Sequence, residues 1–116
     1  MTNSDTTPPP GAAGPTLDAA VVRYRVKPGR AAENAELVAA VCAEMHALTP
    51  PDFRYATFVL DDGVSFVHIA IGGGGEISPV LRRLPAFVRF RDTLEERCDE
   101  APLAMRMTGP IGSYGF

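Results

Sequence analysis

The chain has 116 residues, which is the length of a single domain. Hydrophobic residues make up 46% and charged residues 22% of the sequence, as is typical of globular proteins. The net charge of −3 argues against a nucleic-acid or anionic-membrane partner, because both attract basic surfaces. Two cysteines cannot form a disulfide framework, and no spacing of His and Cys is typical of a metal site. No apolar run approaches the roughly 20 residues that a transmembrane helix needs.

The N-terminal segment differs in composition from the rest of the chain. Residues 1–17 include three consecutive prolines and too few large apolar side chains to offset the entropy lost on ordering. We therefore predict a disordered tail over 1–17 and one folded domain over 18–116. The tail lacks the basic and apolar regions of a secretory signal, so we expect a soluble, cytoplasmic protein. Abundant Arg, Ala, Gly and Pro favour a bacterial source with a GC-rich genome.

The first half of the domain predicts a strand, a helix and a hairpin. Alternation of period two indicates the strands, and apolar residues at helical spacing indicate the helix. Pro50 and Pro51 end the helix because proline donates no backbone hydrogen bond. Asp61-Asp62-Gly63 has the composition of a tight hairpin turn. The predicted spans are a strand at 19–27, a helix at 30–48, and strands at 53–60 and 64–71.

The second half predicts a loop, a helix and a last strand. A glycine run at 72–75 is interpreted as a linker or a cavity lid, since it lacks the Lys-Ser/Thr of a phosphate-binding loop. Ser78-Pro79 begins a short helical segment, and Pro85 begins the main second helix, which runs to about Cys98. We expect Cys42 and Cys98 to be buried thiols that pack as small apolar residues. Alternating residues at 103–108 predict the fourth strand.

The order βαββαβ predicts an α+β, ferredoxin-like fold. One four-stranded antiparallel sheet would carry both helices on one face, with the first and third strands in its centre. The residues expected to face the helices are Val22, Tyr24, Val26, Phe58, Leu60, Val67, Ile69, Leu103, Met105 and Met107. The residues expected on the opposite face are Arg23, Arg25, Tyr55, Thr57, Val59, Phe66, His68, Ala70 and Arg106.

The opposite face predicts a homodimer. Tyr55, Val59 and Phe66 would form an exposed apolar patch there, and such patches usually mark an interface. Two sheets packed face to face about a two-fold axis would cover it.

The folded part of the chain resembles the dimeric α+β barrel superfamily, and within it the antibiotic biosynthesis monooxygenase-like proteins. The resemblance covers about residues 19–108, and its more specific features are Lys27-Pro28-Gly29 and Pro85-Ala86-Phe87. It implies a dimer with a substrate cavity between helices and sheet. It also implies candidate activities, since some members oxidise polycyclic aromatic substrates with oxygen and no cofactor and others degrade haem.

The sequence lacks the residues that the better-known members use. Those enzymes use a tryptophan and a strand asparagine, and the haem-degrading members use a helix histidine as iron ligand. This chain has no tryptophan, its asparagines are Asn3 and Asn34, and its second helix has no histidine. No catalytic residue can therefore be transferred from the family, and fold alone does not establish function.

His68 is the candidate catalytic residue. A mid-strand imidazole suits general-base chemistry, and nearby Arg23 or Arg25 would lower its pKa and favour the neutral base. The alternative is a dimer-interface histidine that is hydrogen-bonded to Tyr55 or Thr57. His46, near the end of the first helix, is interpreted as a surface residue.

Arg91 is the main candidate for substrate binding. Helical spacing places it near the apolar stripe of Phe87, Leu94 and Cys98, so it could bind a carboxylate or phenolate inside a cavity, with Tyr24 opposite. The alternative is that Arg91 packs its stem and extends its charge to solvent. Arg23, Arg25 and Tyr55 complete the candidate set. The remaining arginines of this region, Arg82, Arg83, Arg89 and Arg97, are interpreted as a solvated helix face.

These observations predict a homodimer that binds a small, partly apolar, anionic organic molecule. The resemblance implies oxidation of an aromatic or polycyclic substrate without a bound cofactor or metal. The alternative is a non-enzymatic ligand-binding or structural dimerisation module.

Overall fold

A computed structural model describes residues 19–72 and 79–115, without the side chain of Val80. The predicted tail and most of the predicted glycine loop lie outside these residues. The elements follow the predicted order, and the second helical region is divided into three short helices. The elements are β1 (Ala19–Val26), α1 (Ala31–Leu48), β2 (Phe53–Val59), β3 (Ser65–Gly72), α2 (Pro79–Arg83), α3 (Pro85–Asp92), α4 (Leu94–Arg97) and β4 (Cys98–Met107).

The four strands form one antiparallel sheet in the order β2-β3-β1-β4. This order confirms the ferredoxin-like prediction, with β1 and β3 in the centre. Helix α1 packs against α3, and residues from α1 to α4 form one core with Tyr24, Val26 and Phe66 of the sheet. The sheet therefore has one face under the helices and one face without them.

The predicted boundaries of α1 and of the hairpin are confirmed. Thr49 follows α1 in the left-handed conformation and donates its N–H to the Met45 carbonyl at 2.8 Å. At the hairpin, Gly63 has a φ of +77°, and the Asp62 carboxylate accepts the backbone N–H groups of Val64 and Ser65. The Ser65 hydroxyl also donates to this carboxylate. Together these hydrogen bonds lower the pKa of Asp62, and the one from the Ser65 hydroxyl contributes most.

The prediction for the C-terminal half of the second helix is wrong. Thr93 interrupts the helix, and Cys98 is the first residue of β4 instead of the last residue of a helix. Cys98 pairs with Val26, and the backbone N–H of Lys27 donates to the Arg97 carbonyl at 2.7 Å. The pairing with β1 therefore extends β4 five residues before its predicted start.

The predicted division of the two sheet faces is right for β1 and wrong for most of the other three strands. Directly paired residues of antiparallel strands lie on the same face. Tyr24 pairs with Phe66, and His68 pairs with both Val22 and Thr57. The helix-facing side therefore includes Tyr55, Thr57, Phe66, His68, Ala70 and Arg106, all expected on the other side.

The apolar residues of β2, β3 and β4 that were expected under the helices lie instead on the uncovered face. This face, which we call the outer face, includes Phe58, Val67, Ile69, Leu103, Met105 and Met107, together with Arg23 and Arg25. Phe58 is 53% exposed and Leu103 is 61% exposed. Leu60, beyond the end of β2, is also exposed.

Candidate functional site

A cavity of about 400 Å³ lies between the helix-facing side of the sheet and the second helical region. Its sheet side is built from small and aromatic residues, its helix side is apolar, and its exposed edge is charged. The sheet contributes Ala20, Val22, Tyr24, Tyr55, His68, Ala70, Pro102 and Ala104. The helices contribute Leu81, Phe87, Phe90 and Leu94, and the edge is formed by Arg82, Arg91, Asp92 and Glu95. Its volume is in the range of small-molecule sites.

His68 is held by hydroxyl groups on both of its ring nitrogens. The Tyr24 hydroxyl lies 2.7 Å from Nε2, and the Tyr55 hydroxyl lies 2.5 Å from Nδ1. The Thr57 hydroxyl is 3.0 Å from the same Nδ1. The strand register produces this arrangement, because Thr57 and Val22 flank His68 on the two neighbouring strands.

The hydrogen bonds continue from Tyr24 into the core. Asn34 of α1 donates its Nδ2 to the Tyr24 hydroxyl at 2.8 Å, and its Oδ1 accepts Nε of Arg97 at 3.1 Å. Asn34 and Arg97 are both completely buried. We call the series Arg97, Asn34, Tyr24, His68, Tyr55 the polar chain; it joins α4, α1 and three strands to the cavity.

The groups of the polar chain that border the cavity are neutral near pH 7. Burial lowers the pKa of His68 to about 4, because a charged imidazole would lose its hydration. Burial likewise raises the pKa of Tyr55 to about 12, and it raises the pKa of Tyr24 well above its usual range. The cavity therefore presents phenols and a neutral imidazole among aromatic rings.

Four of the six predicted site residues line this cavity: Tyr24, Tyr55, His68 and Arg91. Arg91 lies at its exposed edge, with its guanidinium carbon 5.8 Å from the centre of the Phe87 ring. The hydrogen bonds predicted between His68 and Tyr55 or Thr57 are present, but they lie beneath the helices instead of on the opposite face.

The other two predicted residues, Arg23 and Arg25, lie on the outer face, away from the cavity. Arg25 forms salt bridges with Asp99 at 2.9 Å and with Glu100 at 3.5 Å. The pKa of His68 is therefore lowered as predicted, but by burial and not by neighbouring arginines.

Sequence reasoning missed Asn34 and misplaced Arg97, which is buried and not on a solvated face. The helical spacing of these two residues could have indicated that they are buried. Asn34 lies one turn before Val38 on the apolar stripe of α1, and Arg97 lies three residues after Leu94. A polar residue at a stripe position is expected to be buried with a partner.

The cysteines lie outside the polar chain. Both are free; Cys98 is buried, and Cys42 is half-buried in the wall of a smaller recess that Tyr55 also lines. Burial raises the pKa of both thiols. Within residues 19–72 and 79–115, no group of three or more His, Cys, Asp and Glu side chains is arranged to hold a metal ion.

Solved structures share this architecture, and two of the three described next carry provisional oxygenase names. A protein from Nitrosomonas europaea, provisionally named an antibiotic biosynthesis monooxygenase, superposes with a TM-score of 0.69 at 15% identity, over 84% of this chain and 93% of its own. A protein from Caulobacter crescentus with the same provisional name superposes with a TM-score of 0.63 at 14% identity, over 82% of this chain and 91% of its own. The Mycobacterium tuberculosis protein Rv0793 superposes with a TM-score of 0.63 at 16% identity, over 85% of this chain and 98% of its own.

The chain shares the fold of these solved structures. The resemblance predicted from the sequence is thereby confirmed for the architecture. The TM-scores of 0.63–0.69 establish the shared fold, and the identities of 14–16% leave the activity of this chain to its own residues. No protein-family model matches the sequence, and no curated protein matches it significantly.

The low pKa of His68 makes a prediction about acid stability. In the unfolded chain the imidazole titrates near 6.5, and in the folded protein near 4. Between these values the unfolded chain binds the extra proton, so the free energy of unfolding falls as the pH falls through this window. At about 1.4 kcal/mol per pKa unit, the loss attributable to His68 is about 3 kcal/mol.

Urea denaturation between about pH 7 and about pH 4 measures this loss, with His68→Gln as the matched variant. The variant should lose about 3 kcal/mol less than the wild type across the window, because all other titrating groups are shared. Equal pH dependence of the two proteins would show that His68 is not held neutral by burial.

Proposed function

We propose that this protein binds a small aromatic anion in the cavity and oxidises it with molecular oxygen, without a bound cofactor. The observation that carries the proposal is the series of neutral hydrogen-bonding groups, Tyr24, His68 and Tyr55, that ends at the aromatic wall of the cavity. The provisional oxygenase names of structures with this fold support the reaction class.

The substrate is an acidic phenol or enol that arrives ionised. A His68 with a pKa of about 4 is too weak a base to deprotonate an ordinary phenol at neutral pH. A phenol hydroxyl such as that of Tyr55 can instead donate a hydrogen bond to an oxyanion, which stabilises the negative charge in surroundings of low polarity. The aromatic walls pack against the rings of the substrate.

The reaction balances with electrons that the substrate itself supplies. The ionised substrate RH⁻ reacts with O₂ to give RO and hydroxide, and the hydroxide takes up a proton from solvent, so that one oxygen atom enters the product and the other leaves as water. The ionised substrate is the electron donor, because its negative charge makes the ring easier to oxidise than the neutral phenol.

In this proposal the cavity residues have separate roles. Tyr55 donates to the substrate oxyanion, and His68 and Tyr24 hold Tyr55 in place. Arg91 orients an anionic group at the cavity edge. Arg23 and Arg25 have no part in substrate binding within one copy of the chain, because they lie on the outer face.

A second candidate function is ligand binding without oxidation. The weak basicity of His68 favours it, since such a cavity could hold an aromatic anion unchanged. Oxygen consumption separates the two functions.

The test uses an oxygen electrode and naphthols or anthracenols of increasing acidity. The wild type should consume oxygen in step with substrate. Tyr55→Phe should reduce the rate by about 100-fold or more, as is typical when one donor to an oxyanion is removed. Tyr114→Phe is the matched control, because the Tyr114 side chain is 98% exposed, and it should retain the wild-type rate. Binding of the substrate without oxygen consumption would rule out the oxidation and support ligand binding as the function.

We also propose that the chain forms a homodimer through the outer face. The patch predicted from Tyr55 and Phe66 is wrong, because both lie under the helices. The outer face nevertheless exposes Phe58, Leu103 and Met105 beside half-buried Val67 and Ile69, and an apolar area of this kind on a sheet favours an interface. A two-fold axis would bring two such faces together.

Light scattering coupled to size exclusion tests the dimer. The wild type should give about twice the chain mass of 12.4 kDa. Phe58→Lys should give monomers at micromolar concentration, because each copy would place a new charge in the interface beside the existing arginines. Leu48→Lys is matched in exposure, since both side chains are 53% exposed, and it should remain dimeric. A wild type that is monomeric throughout would contradict the proposal.

Cytoplasmic location stays a prediction. Over residues 19–72 and 79–115, none of the helices has the length and apolar character needed to cross a membrane.

A further inference from the structure

The core contains a cation that substrate binding does not require. Arg97 is 0% exposed, and its guanidinium donates to Asn34 Oδ1, to Thr93 Oγ1 and to the Phe90 carbonyl. Among the described residues, no carboxylate forms a salt bridge with it. Its hydrogen bonds all go to neutral oxygens, and the Glu33 carboxylate acts on it only from beyond salt-bridge distance. Burying a charge in this way is costly, so its position calls for a role beyond packing.

Arg97 fixes the orientation of the Asn34 amide. Arginine has donors and no acceptor, so the oxygen of the amide must face Arg97 and its NH₂ group must face Tyr24. The Tyr24 hydroxyl oxygen therefore accepts a hydrogen bond from the Asn34 NH₂ group, and its own proton is available for one further partner.

The remaining partner of Tyr24 is His68. If Tyr24 donates to Nε2, the ring carries its proton on Nδ1 and donates it to Tyr55 and Thr57. In the opposite direction, Nε2–H would donate to Tyr24, and the Tyr24 proton would have no acceptor among the described residues. Tyr24 is 1% exposed, so water would not accept that proton either.

We propose that Arg97 and Asn34 are positioning residues that set the direction of the polar chain, holding His68 as the Nδ1–H tautomer. The Tyr55 oxygen then accepts from His68, and the Tyr55 proton remains for a ligand oxyanion. The ligand half of this inference rests on the proposed function, whereas the tautomer is a property of the free protein. The ligand class follows from the free proton: a phenolate, an enolate or a quinone oxygen.

The tautomer is measured by NMR on protein with ¹⁵N-labelled histidine. The chain has two histidines, so the spectrum contains two imidazoles, and exposed His46 is an internal reference. The wild type near pH 7 should show His68 protonated at Nδ1 and unprotonated at Nε2. A wild-type His68 protonated at Nε2 would overturn the proposal.

Asn34→Asp should reverse the direction. One carboxylate oxygen would accept from Arg97 and the other from the Tyr24 hydroxyl, so Tyr24 would in turn accept from Nε2–H of His68. The NMR signal should therefore change to the Nε2–H tautomer. Ala35→Asp adds the same carboxylate at the adjacent exposed position and should leave the Nδ1–H tautomer in place.

An Asn34→Asp protein that keeps Nδ1–H would show that Asn34 does not set the direction. If this variant does not fold, the wild-type spectrum still decides the tautomer. Failure of the proposed function is distinguishable, because absent oxygen consumption with an Nδ1–H wild type would remove the oxidation and leave the positioning role intact.

Discussion

A guanidinium group lies in the core of this domain, and among the described residues no carboxylate forms a salt bridge with it. Arg97 is held by the Asn34 amide, the Thr93 hydroxyl and the Phe90 carbonyl. These contacts connect α4 to α1 and α3, and Asn34 connects α1 to β1 through Tyr24. The constraint is directional, because arginine only donates, and each later hydrogen bond of the polar chain depends on that first direction. The same hydrogen bonds therefore link the helices to one another and, in this proposal, direct the Tyr55 hydroxyl toward the cavity.

The order of elements and the sheet topology could be predicted from the sequence, because they depend on local signals. Proline ends α1, an Asp-Asp-Gly turn forms the hairpin, and period-two alternation marks the strands. Which side of each strand faces the helices was harder to predict from the sequence. Alternation defines two sides of a strand but not which side meets the helices, and the outer face also carries large apolar residues such as Phe58, Val67 and Met105. Register between strands decides this, and it is a long-range property.

The candidate site could be predicted only in part, because local signals identify unusual residues but not their long-range partners. Tyr24, Tyr55, His68 and Arg91 were found as unusual residues in their elements, and they do line one cavity. Arg97 was missed because arginine in a charged helix is usually solvated, and its burial depends on Asn34, which is distant in sequence. Arg23 and Arg25 were included because His68 was assigned to their face. The inclusion of Arg23 and Arg25 therefore follows from the wrong assignment of the face of β3.

The central claim is that the cavity stabilises an oxyanion through Tyr55, and 4-nitrophenol measures this directly. Its absorbance reports its ionisation, so its pKa can be compared in the free and the protein-bound state. Transfer into apolar surroundings alone would raise the pKa of the bound phenol, whereas a directed hydrogen bond from Tyr55 would lower it. We predict that the bound pKa is lower than the free one in the wild type and that Tyr55→Phe reverses the shift. A raised pKa of the phenol bound to the wild type would contradict this claim.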